Sequence, residues 1–244
     1  MAPSPRAGRP QIAPHDQEPA AAQRRRVLAV HRRLASEYPR RGDAGGLPAV
    51  DELVCTILSQ NTTDRNRDRA FRALTTAYPD WDAVARAPVA RVRDLIRVAG
   101  LANQKAPRIQ AALRAVRTAA GGYSLDFLRK LSRDEALAWL TGLDGVGRKT
   151  ASIVLLFSLD MPAFPVDTHV LRLSRRLGLV GTKISAPSAH NLLEDLVPEA
   201  LYRSFHLELI DHGRGVCRAR SPRCEGCVLE DLCQYPTRRG GGPG

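Results

Sequence analysis

The sequence predicts an all-α fold, and three observations predict it. Apolar residues recur at spacings of three and four along most of the chain. No alternating strand pattern of useful length interrupts them. Glycine and proline clusters cut the periodic runs into many short helices joined by tight turns.

The elements follow in order. Residues 1–23, rich in Pro, Ala and Arg, read as a disordered tail. They lack the apolar segment of a secretory signal. An Arg-rich start resembles an organelle-targeting segment, but Asp16 and Glu18 speak against that. From Arg24, RRRVLAVHRRLASEY places Val27, Val30, Leu34 and Tyr38 on one helical face. RRGDAGGLP breaks the pattern, and AVDELVCTILSQ resumes it with Leu53, Val54, Ile57 and Leu58. DRNRDRAFRALTTAY predicts the next helix, closed by a Pro-marked turn at Tyr78-Pro79. VARVRDLIRVAG, KAPRIQAALRAVRTAAGG and SRDEALAWLTGL predict three more, the last started by a Ser132/Glu135 capping box. RKTASIVLLFSL follows, apolar through Ile153, Val154, Leu155 and Leu156. A further periodic run through Val170, Leu171 and Leu177 begins after Asp167. Residues 236–244 read as a frayed terminus. No repeat stands out, and no linker divides the chain cleanly.

The length of 244 residues allows one domain or two intimately packed ones. No apolar run is long enough to cross a bilayer, so a membrane partner is not expected. The net charge of +12 favours a polyanionic partner, of which nucleic acid is the commonest; a generic basic surface is the alternative. Basic side chains other than histidine are arginine except at Lys105, Lys130, Lys149 and Lys183. A GC-rich codon bias would explain that preference, and the bias makes each retained lysine informative. Arginine stays protonated and is a poor nucleophile, whereas its surroundings can neutralise a lysine.

One lysine stands in LDGVGRKTAS, residues 143–152. Gly145 and Gly147 form a turn between two helices, and the second helix starts with free backbone N–H groups. That arrangement suits a phosphate; a plain tight turn is the alternative. Lys149 sits in the first turn, where the positive dipole end and partial burial both disfavour a charged amine. A lowered pKa is what an amine needs to form a Schiff base; otherwise Lys149 is a phosphate contact. Asp167 reads either as an N-cap or as a carboxylate that stabilises positive charge and shuttles protons beside Lys149. His169 orients it or caps the helix.

Cys55 sits in an apolar helix and reads as a core residue. Cys217, Cys224, Cys227 and Cys233 are spaced C-x6-C-x2-C-x5-C. An intracellular protein disfavours disulfides, so these four read as metal ligands. Both zinc and an iron–sulfur cluster remain open on spacing alone. Arg218, Arg220 and Arg223 lie between the first two ligands, as a phosphate clamp or as a solvated loop.

In this order, LDGVGRKTA, VDTHV and the four-cysteine pattern resemble endonuclease III. These are bacterial DNA glycosylase/AP lyases of the helix-hairpin-helix superfamily. The flank HGRGVCRARSPRCEGCVLEDLC is also similar, and the resemblance spans residues 24–235. It implies two helical domains with DNA bound across the groove between them. Residues 42–160 would form a six-helix barrel carrying the hairpin. Residues 24–41 and 161–235 would form the other, holding a [4Fe-4S] cluster on the four cysteines. The implied partner is double-stranded DNA containing oxidised pyrimidines or abasic sites. The implied setting is a monomer at the bacterial nucleoid in the cytoplasm. A flipped nucleotide would be attacked at C1′ by Lys149, with Asp167 stabilising charge on the sugar. Arginine could not form that imine. The resemblance further implies DNA contacts from Leu143, Gly145, Val146, Gly147 and Arg148 in the hairpin, from His169, and from the Arg218, Arg220 and Arg223 loop. Leu101 in AGLANQKAP would be a wedge, and LSQNTTD would supply a second filler. Two positions depart from the family. Asn61 stands where glutamine is usual, with Gln60 before it, and Asp144 replaces a common hairpin proline. A mismatch-specific relative is disfavoured by Lys149 and by a chain that ends soon after Cys233. A non-catalytic DNA-binding module and an electron carrier are the rival classes. Lys149 and Asp167 oppose the first; the basic surface and the hairpin oppose the second.

Overall fold

A computed structural model describes residues 20–39 and 46–235. Among these the chain is helical, with short 3₁₀ turns and no strand. The α-helices are α1 (Ala20–Glu37), α2 (Ala49–Ser59), α3 (Asp64–Ala77), α4 (Trp81–Arg86), α5 (Val89–Leu95), α6 (Ala102–Ala120), α7 (Arg133–Thr141), α8 (Arg148–Ser158), α9 (Thr168–Arg176), α10 (Ala186–Leu196) and α11 (Tyr202–Gly215). None is long and apolar enough to cross a membrane.

The periodic runs fold as their spacing predicts. Val27, Val30 and Leu34 of α1, and Leu53, Val54, Ile57 and Leu58 of α2, are all fully buried. One boundary and one unpredicted helix stand out. Helix α1 starts at Ala20, inside the expected tail, because Ala-Ala-Ala-Gln are strong helix formers that extend the amphipathic run. The rest of that tail, residues 1–19, and the C-terminal tail lie outside the described residues. Helix α4, only six residues long, was hidden after the Tyr78-Pro79 turn; Asp80 caps it by accepting from the Ala83 N–H at 2.8 Å.

The helices close two hydrophobic cores. One gathers α2 through α8, with Leu58, Leu74, Ile96, Ile109, Leu113, Leu140 and Val154 at its centre. The other gathers α1 with α9 through α11, so the two ends of the described chain meet in it. Phe164 anchors that second core, with Tyr202 and Phe205 packed against it at ring-centroid distances of 5.3 and 6.2 Å. Helix α8 serves both: Val154 and Leu155 face the first core, and Leu156 the second. We propose that these cores are the two expected domains.

The Ser132/Glu135 capping box is present in both directions. The Ser132 side chain accepts from the Glu135 N–H at 3.3 Å, and Glu135 accepts from the Ser132 N–H at 2.8 Å. Ser132→Ala removes one half, so thermal unfolding should show a loss of about 1 kcal/mol with the fold retained.

Candidate active site and iron–sulfur centre

Helix α8 begins at the hairpin, and no side chain caps its first turn. The first N–H groups of an α-helix have no intrahelical acceptor, so this end is a cluster of donors beside the exposed Gly147. Lys149 is the second residue of that turn and is partly buried. Burial is the main cause that lowers its pKa from the ordinary lysine value. The carboxylates of Asp167 and Asp64 oppose the shift; the guanidiniums of Arg67 and Arg214 add to it. Arg214 and Asp64 themselves pair at 2.9 Å, joining α11 to α3 near the amine. Sequence reading had quoted both residues within motifs but given neither a role.

Asp167 is an N-cap and a site carboxylate at once. Its Oδ1 accepts from the Val170 N–H at 2.7 Å, which starts α9. The N-cap reading therefore holds, and the same carboxylate lies within electrostatic reach of the Lys149 amine. His169 follows in the same turn. Arg172 donates to its Nδ1 at 3.0 Å, and burial lowers the imidazole pKa. Arg172 also donates to the Gly213 carbonyl at 2.9 Å. A Cβ on Gly213 would lie 2.9 Å from His169 Nδ1 and 3.0 Å from Arg172 Nη2, so α11 needs a glycine there to let this pair pass.

The hairpin residues divide by role. Gly145 has φ +78°, a left-handed turn conformation that favours glycine. Gly147 is an ordinary N-cap with open space where a Cβ would stand, so nothing inside the protein requires glycine there. The Val146 side chain is buried and its N–H donates to the Leu143 carbonyl at 3.0 Å, so it presents no side chain at the surface of the turn. Leu143 packs partly onto the first core. Arg148 has an internal partner, the buried Glu194 of α10, at 2.8 Å; Glu194 also accepts from the Phe164 N–H at 3.1 Å. Asp144 turns outward beside Arg108, whose Nε lies 3.3 Å from its carboxylate, so the negative charge is offset locally.

The two expected filler loops have distinct geometry. Gln60 donates through Nε2 to the Gly145 carbonyl at 2.8 Å, bracing the end of α2 against the hairpin. Asn61 is exposed with φ +51°, and Leu101 is exposed with φ +50°. The free side chain at the first loop is therefore that of Asn61.

Cys217, Cys224, Cys227 and Cys233 are reduced and partly buried. The four cysteines line a cavity of about 100 Å³ walled in part by Leu173, Leu177 and Leu229. Donors aim at the sulfurs: Arg176 at Cys217 Sγ (3.1 Å) and the Leu229 N–H at Cys227 Sγ (3.5 Å). A four-thiol set in an apolar cavity with N–H donors to sulfur fits an iron–sulfur cluster. Arg176 also holds the Arg218 and Ala219 carbonyls at 2.8 and 3.2 Å, shaping the loop on which Arg218, Arg220 and Arg223 are exposed.

Fold and site together define a helix-hairpin-helix base excision repair protein. Residues 54–199 match the HhH-GPD superfamily of base excision DNA repair proteins, and residues 217–233 match the iron–sulfur binding domain of endonuclease III. The chain is 37% identical to endonuclease III of Thermotoga maritima over 190 residues, covering 78% of this chain and 84% of that one. It is 34% identical to endonuclease III of Escherichia coli K12 over 183 residues, covering 75% and 82%. A trapped covalent endonuclease III–DNA intermediate superposes with TM-score 0.75 at 29% identity, covering 86% of this chain and 95% of that one. The chain belongs to the endonuclease III family of DNA repair enzymes, and its cysteines hold a [4Fe-4S] cluster.

Cys224→Ser should cost the brown cluster absorbance and lower the melting temperature of the purified protein. Retained colour with full iron content would show that Cys224 is not a ligand.

Proposed function

We propose that this protein is a bifunctional DNA glycosylase/AP lyase for oxidised pyrimidines, acting as a monomer. The observation that supports it most is Lys149, an amine lowered in pKa at a helix start, within electrostatic reach of the Asp167 carboxylate.

The first N–H groups of α8 and the hairpin backbone grip phosphate, with Gly147 leaving room for close approach. Arg218, Arg220 and Arg223 add sequence-independent contacts. The damaged nucleotide leaves the stack, because C1′ cannot be reached within it. Leu101 and Asn61 occupy the space it vacates. Neutral Lys149 Nζ bonds to C1′ as the C1′–N1 bond breaks. The base departs with that electron pair and takes up a proton. Oδ1 of Asp167 stays on the Val170 N–H, and the carboxylate's charge stabilises the electron-poor sugar. The C1′–O4′ bond then breaks, O4′ takes up a proton given up by the Lys149 nitrogen, and the nitrogen lone pair closes the imine to C1′. Loss of a C2′ proton then expels the 3′ phosphate, cutting the strand 3′ to the site. Cys217, Cys224, Cys227 and Cys233 would hold the cluster in the other core, and the loop that carries the three arginines runs between the first two of them.

Borohydride trapping on duplexes with thymine glycol or an abasic site tests this reading. Wild type should cross-link to both, and Lys149→Gln to neither while still binding DNA. Cross-linking to the abasic duplex alone would leave a lyase whose pocket refuses that base. Asp167→Asn keeps an N-cap of equal strength and removes only the charge. Base release should slow by about 10²- to 10⁴-fold with an unchanged melting temperature. The trapping rate should rise with pH and level off below pH 10.5, the ordinary lysine value, since only the neutral amine attacks. The logarithm of the binding constant should fall linearly with the logarithm of salt concentration.

A further inference from the structure

Lys105 is a second enclosed lysine, and the reaction above gives it no role. It lies in the first turn of α6 and is 1% exposed. Its ammonium donates to the carbonyls of Leu58 at 2.8 Å, Gln60 at 2.6 Å and Ala99 at 2.8 Å. All three ammonium protons are thus used. Burial alone lowers its pKa, to about 8, which leaves it mostly charged at neutral pH.

The acceptors come from two chain ends that sequence does not bring together. Leu58 and Gln60 close α2, where carbonyls lack intrahelical partners and the helix dipole is negative. Ala99 closes the 3₁₀ turn Arg97–Ala99. Just beyond each tie the chain turns left-handed at a residue that carries a side chain: Asn61 after Gln60, and Leu101 after Gly100. Such backbone persists only where its surroundings enforce it. The two turns are neighbours, since a Cβ on Gly100 would lie 4.0 Å from the Asn61 carbonyl oxygen. Leu101 is 45% exposed although it is large and apolar.

We infer that Lys105 is a positioning residue that holds loops 60–61 and 100–101 at one fixed separation, so that Asn61 and Leu101 enter the duplex together. The inference rests on the proposed function, in which those two side chains fill the vacated space. It also accounts for a lysine in an arginine-rich chain. A flat guanidinium fork cannot direct its protons from one nitrogen to three converging carbonyls.

The test compares borohydride trapping rates of cluster-loaded protein on an abasic duplex and on the same abasic strand alone. The duplex requires extrusion; the single strand does not. Lys105→Met should lower the duplex-to-single-strand ratio by about tenfold or more, since small misplacements cost rate steeply. Single-strand trapping should stay within about twofold, as a group outside the chemistry allows. Lys105→Arg should lower the ratio too, despite keeping its charge. Leu101→Ala, run beside them, reports on the wedge itself. A normal ratio in Leu101→Ala would defeat the wedge reading. A lowered ratio in Leu101→Ala with a normal one in Lys105→Met would overturn the role assigned to Lys105. An equal fall on both substrates in Lys105→Met would mark a general structural part and overturn it as well. If Lys105→Met does not fold, Lys105→Gln supplies the same ratio, and a wild-type value there overturns the inference.

Discussion

The desolvation of one amine, at the start of α8, is the constraint on which the site depends. A lysine at a helix N-terminus already meets the positive end of the dipole. Burial adds the larger effect. The carboxylates of Asp167 and Asp64 pull the other way, and Arg67 and Arg214 push back. The Asp64–Arg214 pair matters in this balance because each charge offsets the other's field at the amine. That pair joins α3 of one core to α11 of the other, so the charges around the amine come from both cores.

Economy of parts recurs around that constraint. Asp167 starts a helix and presents a charge with one carboxyl group. Glu194 ties the hairpin to α10 through Arg148 and also holds the Phe164 backbone, at the centre of the second core. Gln60 braces the hairpin with its side chain and binds Lys105 with its carbonyl. Removing any of these disturbs two things at once. The Asp167→Asn substitution is informative because it separates cap from charge.

Local chemistry was legible in the sequence; long-range pairing was not. The helical periods, the capping box and the order of hairpin, aspartate and cysteines depend on residues close together in the chain. So does the metal reading, which needed family resemblance to choose iron–sulfur over zinc and then found an apolar cavity in its support. The Asp144 departure was visible as a misplaced charge, but its relief by Arg108 was not, because 36 positions separate them. The buried carboxylate under Arg148 and the burial of Val146 were hidden for the same reason. Lys105 was countable as one of four lysines, yet its three acceptors come from two other segments. Short α4 escaped notice because six residues hold too little periodicity to read.

The amine's protonation is the most direct test of the account. Only four lysines occur in the chain, so ¹⁵N labelling of lysine side chains gives a spectrum that single substitutions can assign. The protein without DNA would be titrated, with Lys149→Gln and Lys105→Met as assignment controls. The account predicts that the resonance lost in Lys149→Gln titrates below the ordinary lysine value of 10.5. A Lys149 resonance titrating at or above that value would contradict it, and would leave Lys149 as a phosphate-binding cation.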